Sequence, residues 1–258
     1  MAIDGVLIDM DGVLATSWRP LPGAADTIER LRSDGVPFLV VSNTTTHTRA
    51  AFAKTLSETG LPLEPDEIVT AVVGTASYLR RHHPQARVFL LSDGDPREDL
   101  DGVRLVDGPP ADVVVLGGAS DEFTYAAIDD VFRMLMDGAA LVGMHRNLYW
   151  RTDEGLQLDG GAYIVGLEAA TGRPATICGK PSPDFFAEAV AMLGTDPSRT
   201  AMAGDDVAND VLGAQAAGLI GVLVRTGKFS PGDLERVDGR PDHQIGSIAD
   251  LPDLLASS

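Results

Sequence analysis

The tightest constraint on this chain is a rhythm in which short apolar runs alternate with stretches of helical periodicity. Val6 to Ile8 reads as a buried strand. Ala24, Ile28 and Leu31 then recur at helical spacing up to Gly35, and Pro37 to Val41 reads as a second strand. Phe52 and Leu56 mark a further helix that stops near Gly60. Strand, helix, strand, helix with short connections implies a parallel sheet built from right-handed crossovers.

The same rhythm fills the middle of the chain. Val88 to Leu91, Val113 to Leu116 and Leu141 to Val142 read as buried strands. Ile128, Val131, Phe132 and Leu135 share one helical face closed by Gly138, and another helix covers Tyr163 to Ala170, closed by Gly172. Ser182, Pro183 and Asp184 then open a helix as cap, first-turn proline and acid at the positive end of the dipole. Ala201 to Ala203 and Ile220 to Val224 complete the strands. The expectation is an α/β fold around a doubly wound, Rossmann-like parallel sheet.

Charge narrows the function. The formal net charge of −18 repels nucleic-acid backbones and anionic membranes, so neither is expected as a partner. No apolar run reaches the ~20 residues of a membrane-spanning helix, and the N-terminus carries no basic segment ahead of an apolar one. The single cysteine, Cys178, rules out an internal disulfide and reads as a small buried hydrophobe. A cytoplasmic protein is expected. An anionic substrate would require concentrated positive charge or a metal at its site.

Four polar clusters each follow a predicted strand, where open parallel sheets bind their ligands. Asp9-Met10-Asp11-Gly12 offers two carboxylates: one can attack phosphorus, and the other can protonate a leaving group. An Asp-Gly turn is the structural alternative, and the two readings can coexist. Ser42-Asn43-Thr44 offers a hydroxyl and backbone amides for phosphoryl oxygens, or a helix cap. Gly179-Lys180-Pro181 offers one cation that could neutralise a phosphoryl oxygen, where a lone lysine is ordinarily a solvated charge. Gly204-Asp205-Asp206, with Asp210 one helical turn on, offers oxygen ligands suited to a hard cation such as Mg2+. Phosphoryl transfer needs this set, since its catalysis rests on positioning and charge neutralisation.

The order of these clusters resembles the haloacid dehalogenase superfamily of phosphatases. The segments GKPSPDFF, GDDVANDVLGAQAAG and VRTGKF look most like its phospholysine/phosphohistidine/inorganic pyrophosphate phosphatase group. The stretch between the second and third clusters resembles that family's larger inserted cap, which sets the domains at 1–73 (core), 74–173 (smaller α/β cap) and 174–258 (core). The resemblance implies Asp9 as nucleophile and Mg2+ ligand. It implies Asp11 as acid/base that also lends a backbone carbonyl to the metal, Ser42 and Asn43 as phosphoryl-binding groups, and Lys180 as their charge partner. Asp205 would be a metal ligand, with Asp206 and Asp210 behind it. Animal members of the group carry Ser where this chain has Asp11, so ordinary phosphate monoesters are expected within reach beside pyrophosphate or phosphoamides.

The segment His145-Arg146-Asn147-Leu148-Tyr149-Trp150-Arg151 is cationic and aromatic in an acidic chain. Arg146 is the candidate contact to the leaving group of a small phosphorylated substrate, against the alternative of a solvated loop. A receiver-type phospho-acceptor would use similar aspartates but lacks both the insert and the Asp11 acid. A non-catalytic phosphate-binding protein on the same fold remains the other alternative. Homo-oligomerisation is left open by the sequence.

Overall fold

A computed structural model describes residues 3–152 and 155–257, with the side chains of 150–152 outside the description. These residues form two compact units: 3–42, 49–69 and 180–257, and 43–48 with 70–152 and 155–179. The sequence sets the inserted segment at 74–173. The contact division falls wider, because two edge elements belong to the inserted sheet and its covering layer.

In the first unit, β1 (Gly5–Asp9) runs into a tight hairpin of β2 (Ala15–Thr16) and β3 (Arg19–Pro20), followed by α1 (Ala24–Ser33), β4 (Phe38–Ser42) and α2 (Arg49–Glu58). β5 (Ile68–Thr70) leads out of the unit. The second unit comprises α3 (Ala71–His82), β6 (Val88–Leu91), β7 (Leu105–Val106), β8 (Val113–Leu116), α4 (Tyr125–Met136), β9 (Ala140–Gly143), a hairpin of β10 (Tyr149–Thr152) and β11 (Gly155–Leu158), α5 (Gly160–Thr171) and β12 (Thr176–Ile177). The chain then returns through α6 (Pro183–Leu193), β13 (Thr200–Gly204), α7 (Gly213–Ala216), β14 (Ile220–Val224), α8 (Asp233–Arg236), β15 (His243–Ile245) and α9 (Leu251–Ser257).

The first sheet has the order β15-β14-β13-β1-β4-β5, and the pairs β14-β15, β13-β14, β1-β13 and β1-β4 are parallel. Every residue of β1, β4 and β13 is buried, as expected for strands covered on both faces. Val6, Ile8, Val40, Ala201, Ala203 and Val222 join Ile28, Leu31, Phe52 and Leu56 of α1 and α2 in one core. Burying such side chains stabilises by roughly 1.5–3 kcal/mol each relative to exposure.

The second unit has its own parallel sheet, order β12-β9-β8-β6-β7. β12 pairs with β9 and α3 packs its buried face onto this sheet, which carries the unit beyond 74 and 173. Cys178 is buried there, as expected. Ser182 occupies the cap position of α6, but its hydroxyl makes no capping bond. Flanked by two prolines, it is held extended (ψ 130°), and Pro183 supplies the helical start.

Candidate active site

The site of the first unit grows from strand ends. Asp9 is the last residue of β1, Ser42 the last of β4, and Asp205 follows Gly204 at the end of β13. β1 lies between β4 and β13 in parallel register, so all three residues emerge at the same carboxyl edge.

Past Asp9 the chain turns sharply. Leu14 and Ala15 donate their amides to the Met10 carbonyl at 3.0 Å each, and Gly12 donates to the Ala15 carbonyl at 2.8 Å. The turn and the carboxylate pair therefore coexist, as the sequence allows. Gly12 has φ +88°, a conformation natural to glycine. Asp11 sits in this turn, open to solvent. Partial loss of hydration raises its carboxyl above the ordinary value, while Lys180 and then Lys228 pull it down.

Lys180 is buried, unlike an ordinary surface lysine. Its ammonium donates to Asp9 Oδ1 at 2.5 Å and lies 2.7 Å from Asp210 Oδ1. Asp210 accepts the Asp206 amide on its other oxygen at 3.1 Å. Asp206 caps the helical turn that follows, accepting the amides of Ala208 (3.0 Å) and Asn209 (2.9 Å) on Oδ1. Its Oδ2 receives the Asn209 side-chain amide at 2.7 Å and pairs with Lys228 Nζ at 3.1 Å.

Asp9, Asp205 and Asp210 are all buried, and ligating oxygens from the three lie within 4.8 Å of one another. Burial raises the Asp9 carboxyl most; Lys180 pulls it back, and Asp210 and Asp205 push it up again. Burial likewise pushes Asp205 up to about 6, against the pull of the Lys228 amide. One buried ammonium therefore leaves this cluster short of positive charge. Among the described residues, Asp205 Oδ1 is buried with no hydrogen-bond partner, at a cost to stability. An all-oxygen donor set with one bare oxygen fits a hard divalent cation. Asp9 and Asp205 would hold it, while both oxygens of Asp210 already have partners.

Asn43 and Arg146 belong to the second unit. A Cβ placed on Gly179 would come within 2.7 Å of Asn43 Oδ1, so a glycine there lets this side chain lie close. Arg146 makes a two-point ion pair with Glu168, at 3.1 and 2.5 Å. His145 is buried, its Nδ1 accepting the Asn147 amide at 3.2 Å and its Nε2 3.7 Å from Asp159 Oδ1. Leu148 and Tyr149 are exposed. The side chains of Trp150 and Arg151 lie outside the described residues.

The sequence marked the turn after β14 only within the resembling segment VRTGKF and gave its residues no role. The amide of Lys228 donates to Asp205 Oδ2 at 2.7 Å, and the Thr226 hydroxyl donates to the Gly12 carbonyl at 2.6 Å. The available signal was a polar Arg-Thr-Gly-Lys stretch directly after a buried strand, the same signal that marked the other four clusters.

A family profile described as "Haloacid dehalogenase-like hydrolase" matches residues 6–105, and one described as "HAD-hyrolase-like" matches residues 177–251. Human "Haloacid dehalogenase-like hydrolase domain-containing protein 2" is 36% identical over 240 residues, covering 93% of this chain and 91% of that protein. "Phospholysine phosphohistidine inorganic pyrophosphate phosphatase" of Xenopus laevis is 32% identical, covering 99% and 96%. Among solved structures, the p-nitrophenyl phosphatase from Archaeoglobus fulgidus superposes with a TM-score of 0.91 at 29% identity, covering 99% of this chain and 100% of that one.

Proposed function

Because this chain belongs to the haloacid dehalogenase-like hydrolase family, we propose that it is a magnesium-dependent phosphatase of small phosphorylated metabolites that works through an aspartyl-phosphate on Asp9. The observation that carries the reading is the buried cluster of Asp9, Lys180, Asp210 and Asp205 with its bare Asp205 Oδ1. A bound divalent cation would neutralise phosphoryl and carboxylate charge there, so that an anion can approach in a protein of net charge −18.

A carboxylate oxygen of Asp9 attacks phosphorus, and the bond to the leaving oxygen breaks. Asp11 gives its proton to that oxygen. Its raised carboxyl suits this role, because a fraction of it stays protonated at higher pH than an ordinary aspartate. In the second half, Asp11 takes a proton from water as the water oxygen attacks phosphorus. Phosphate leaves and the Asp9 carboxylate is restored. Lys180 holds Asp9 in place and balances phosphoryl charge, while Ser42 and Asn43 contact the phosphoryl oxygens. The second unit serves as the cap, with Arg146 toward the leaving group.

Asp11 is a stronger acid than the serine of the animal phospholysine-type enzymes, so unactivated monoesters fall within range beside pyrophosphate and phosphoamides. Phosphate release from p-nitrophenyl phosphate, an alkyl phosphate, pyrophosphate and a phosphoamide, with Mg2+ or with a chelator, tests this. Turnover of the monoesters that vanishes with the chelator and returns with Mg2+ is expected. Binding without turnover across the panel would instead favour a non-catalytic phosphate-binding protein.

A further inference from the structure

The turn Thr226-Gly227-Lys228 touches the two halves of the candidate metal site at once. Its Lys228 amide occupies Asp205 Oδ2 at 2.7 Å, and the other oxygen, Oδ1, is the buried one without a partner among the described residues. A carboxylate held by one oxygen in this way has its free oxygen aimed. The Thr226 hydroxyl, at 2.6 Å from the Gly12 carbonyl, ties the same turn to the loop that carries Asp9 and Asp11.

The packing between these contacts leaves no room for side chains. A Cβ on Gly12 would overlap Asp205 Oδ2 and approach Gly227 Cα to 2.8 Å. A Cβ on Gly227 would also overlap Asp205 Oδ2 and come within 2.6 Å of Gly12 Cα. Two bare backbones thus press on the same carboxylate from the β1 loop and from the β14 turn. Both contacts are with backbone or with a buried group, so neither can move aside cheaply.

We propose that Thr226, Gly227 and Lys228 form a clamp that positions the Asp205 carboxylate for the divalent cation and locks it to the nucleophile loop. The proposal rests on the metal-dependent reading above. None of the three is a catalytic residue; they act through Asp205 and Gly12. The clamp makes metal affinity depend on residues that contribute no ligand, through hydrogen bonds behind the ligands.

Calorimetric titration of the substrate-free protein with Mn2+ tests this without any turnover. Gly227→Ala should weaken Mn2+ binding about tenfold or more, in line with the loss of a ligand-orienting contact. Gly194→Ala is the control for backbone strain alone. Gly194 shares a positive φ with Gly227 (75° against 58°), but nothing lies within 4 Å of an added Cβ, so its Mn2+ affinity should match the parent. Thr226→Val, which keeps the shape and removes only the hydroxyl, should weaken binding about threefold to tenfold. Thr226→Ser should restore it. If Gly227→Ala fails to fold, the Thr226 pair decides. Folded Gly227→Ala or Thr226→Val protein with parental Mn2+ affinity would overturn the clamp while leaving the phosphatase reading intact. A parent protein that binds no Mn2+ would overturn the metal-dependent reading and the clamp with it.

Discussion

Replacing Lys180 with methionine probes the electrostatics of the site most severely. The ammonium lies buried between Asp9 Oδ1 (2.5 Å) and Asp210 Oδ1 (2.7 Å), with Asp205 in the same cluster. Lys180→Met keeps the stem and removes the charge. Removing one partner of a buried ion pair leaves an uncompensated charge and costs about 3–5 kcal/mol. For a chain of this size each kcal/mol is worth about 2–4 °C in melting temperature, so the unit carrying the site should melt about 6–20 °C lower in EDTA. Saturating Mg2+ should recover part of that loss, since ligand at 100 times its Kd adds about 2.7 kcal/mol. Mg2+ should stabilise the variant more than the parent, because the bare carboxylates have lost their other cation. Thermal melts of both proteins, with EDTA and with Mg2+, read all of this. A loss in EDTA under about 2 °C, or a smaller Mg2+ effect in the variant, would refute the picture of carboxylates short of positive charge.

Asp11→Asn should slow turnover by about 10²–10⁴-fold for an alkyl phosphate and less for p-nitrophenyl phosphate, whose leaving group needs little protonation; equal losses in steady-state assays would remove the acid role. Asp205→Ala should raise the Mg2+ concentration needed for half-maximal activity, and an unchanged requirement would take Asp205 out of the metal's ligands. Burial lowers the His145 pKa from its ordinary 6.5, against the opposing pull of Asp159. The stability it confers is therefore present above about pH 6.5 and lost as pH falls below it. Melts across that range should show the loss in the parent and not in His145→Asn, whose side-chain oxygen can still accept the Asn147 amide. Arg146→Ala should change stability by no more than about 1 kcal/mol, as Arg146 is exposed and water screens its pair with the partly buried Glu168. It should re-rank kcat/KM among bulky substrates while sparing p-nitrophenyl phosphate.

The core strands were legible because they read as unbroken apolar runs: Val88–Leu91 and Val113–Leu116 match residue for residue, the second of them buried throughout. Their ends located Asp9, Ser42 and Asp205. α3 was not legible. Eight of its residues from Ala71 to Leu79 are buried almost all round, which erases the one-sided stripe that marks a helix. The β10-β11 hairpin carries Leu156 and Leu158 outward, so apolar residues there do not point to a core. The burial of Lys180 could not be read, since its partners lie 171 and 30 positions away in sequence. The same holds for Arg146 and Glu168, 22 positions apart. The contact of Lys228 with Asp205 was not legible because it is made by the backbone amide, which its residue type does not announce.

The central claim is covalent chemistry on Asp9, and trapping the intermediate tests it most directly. Enzyme mixed with p-nitrophenyl phosphate and Mg2+, quenched in acid within the first turnover and reduced with borohydride, should yield homoserine at position 9 in the peptide that contains it. The yield should disappear with a chelator and in Asp9→Asn protein. Full turnover with position 9 unreduced, or an equal yield at Asp205, would contradict the assignment of Asp9 as nucleophile.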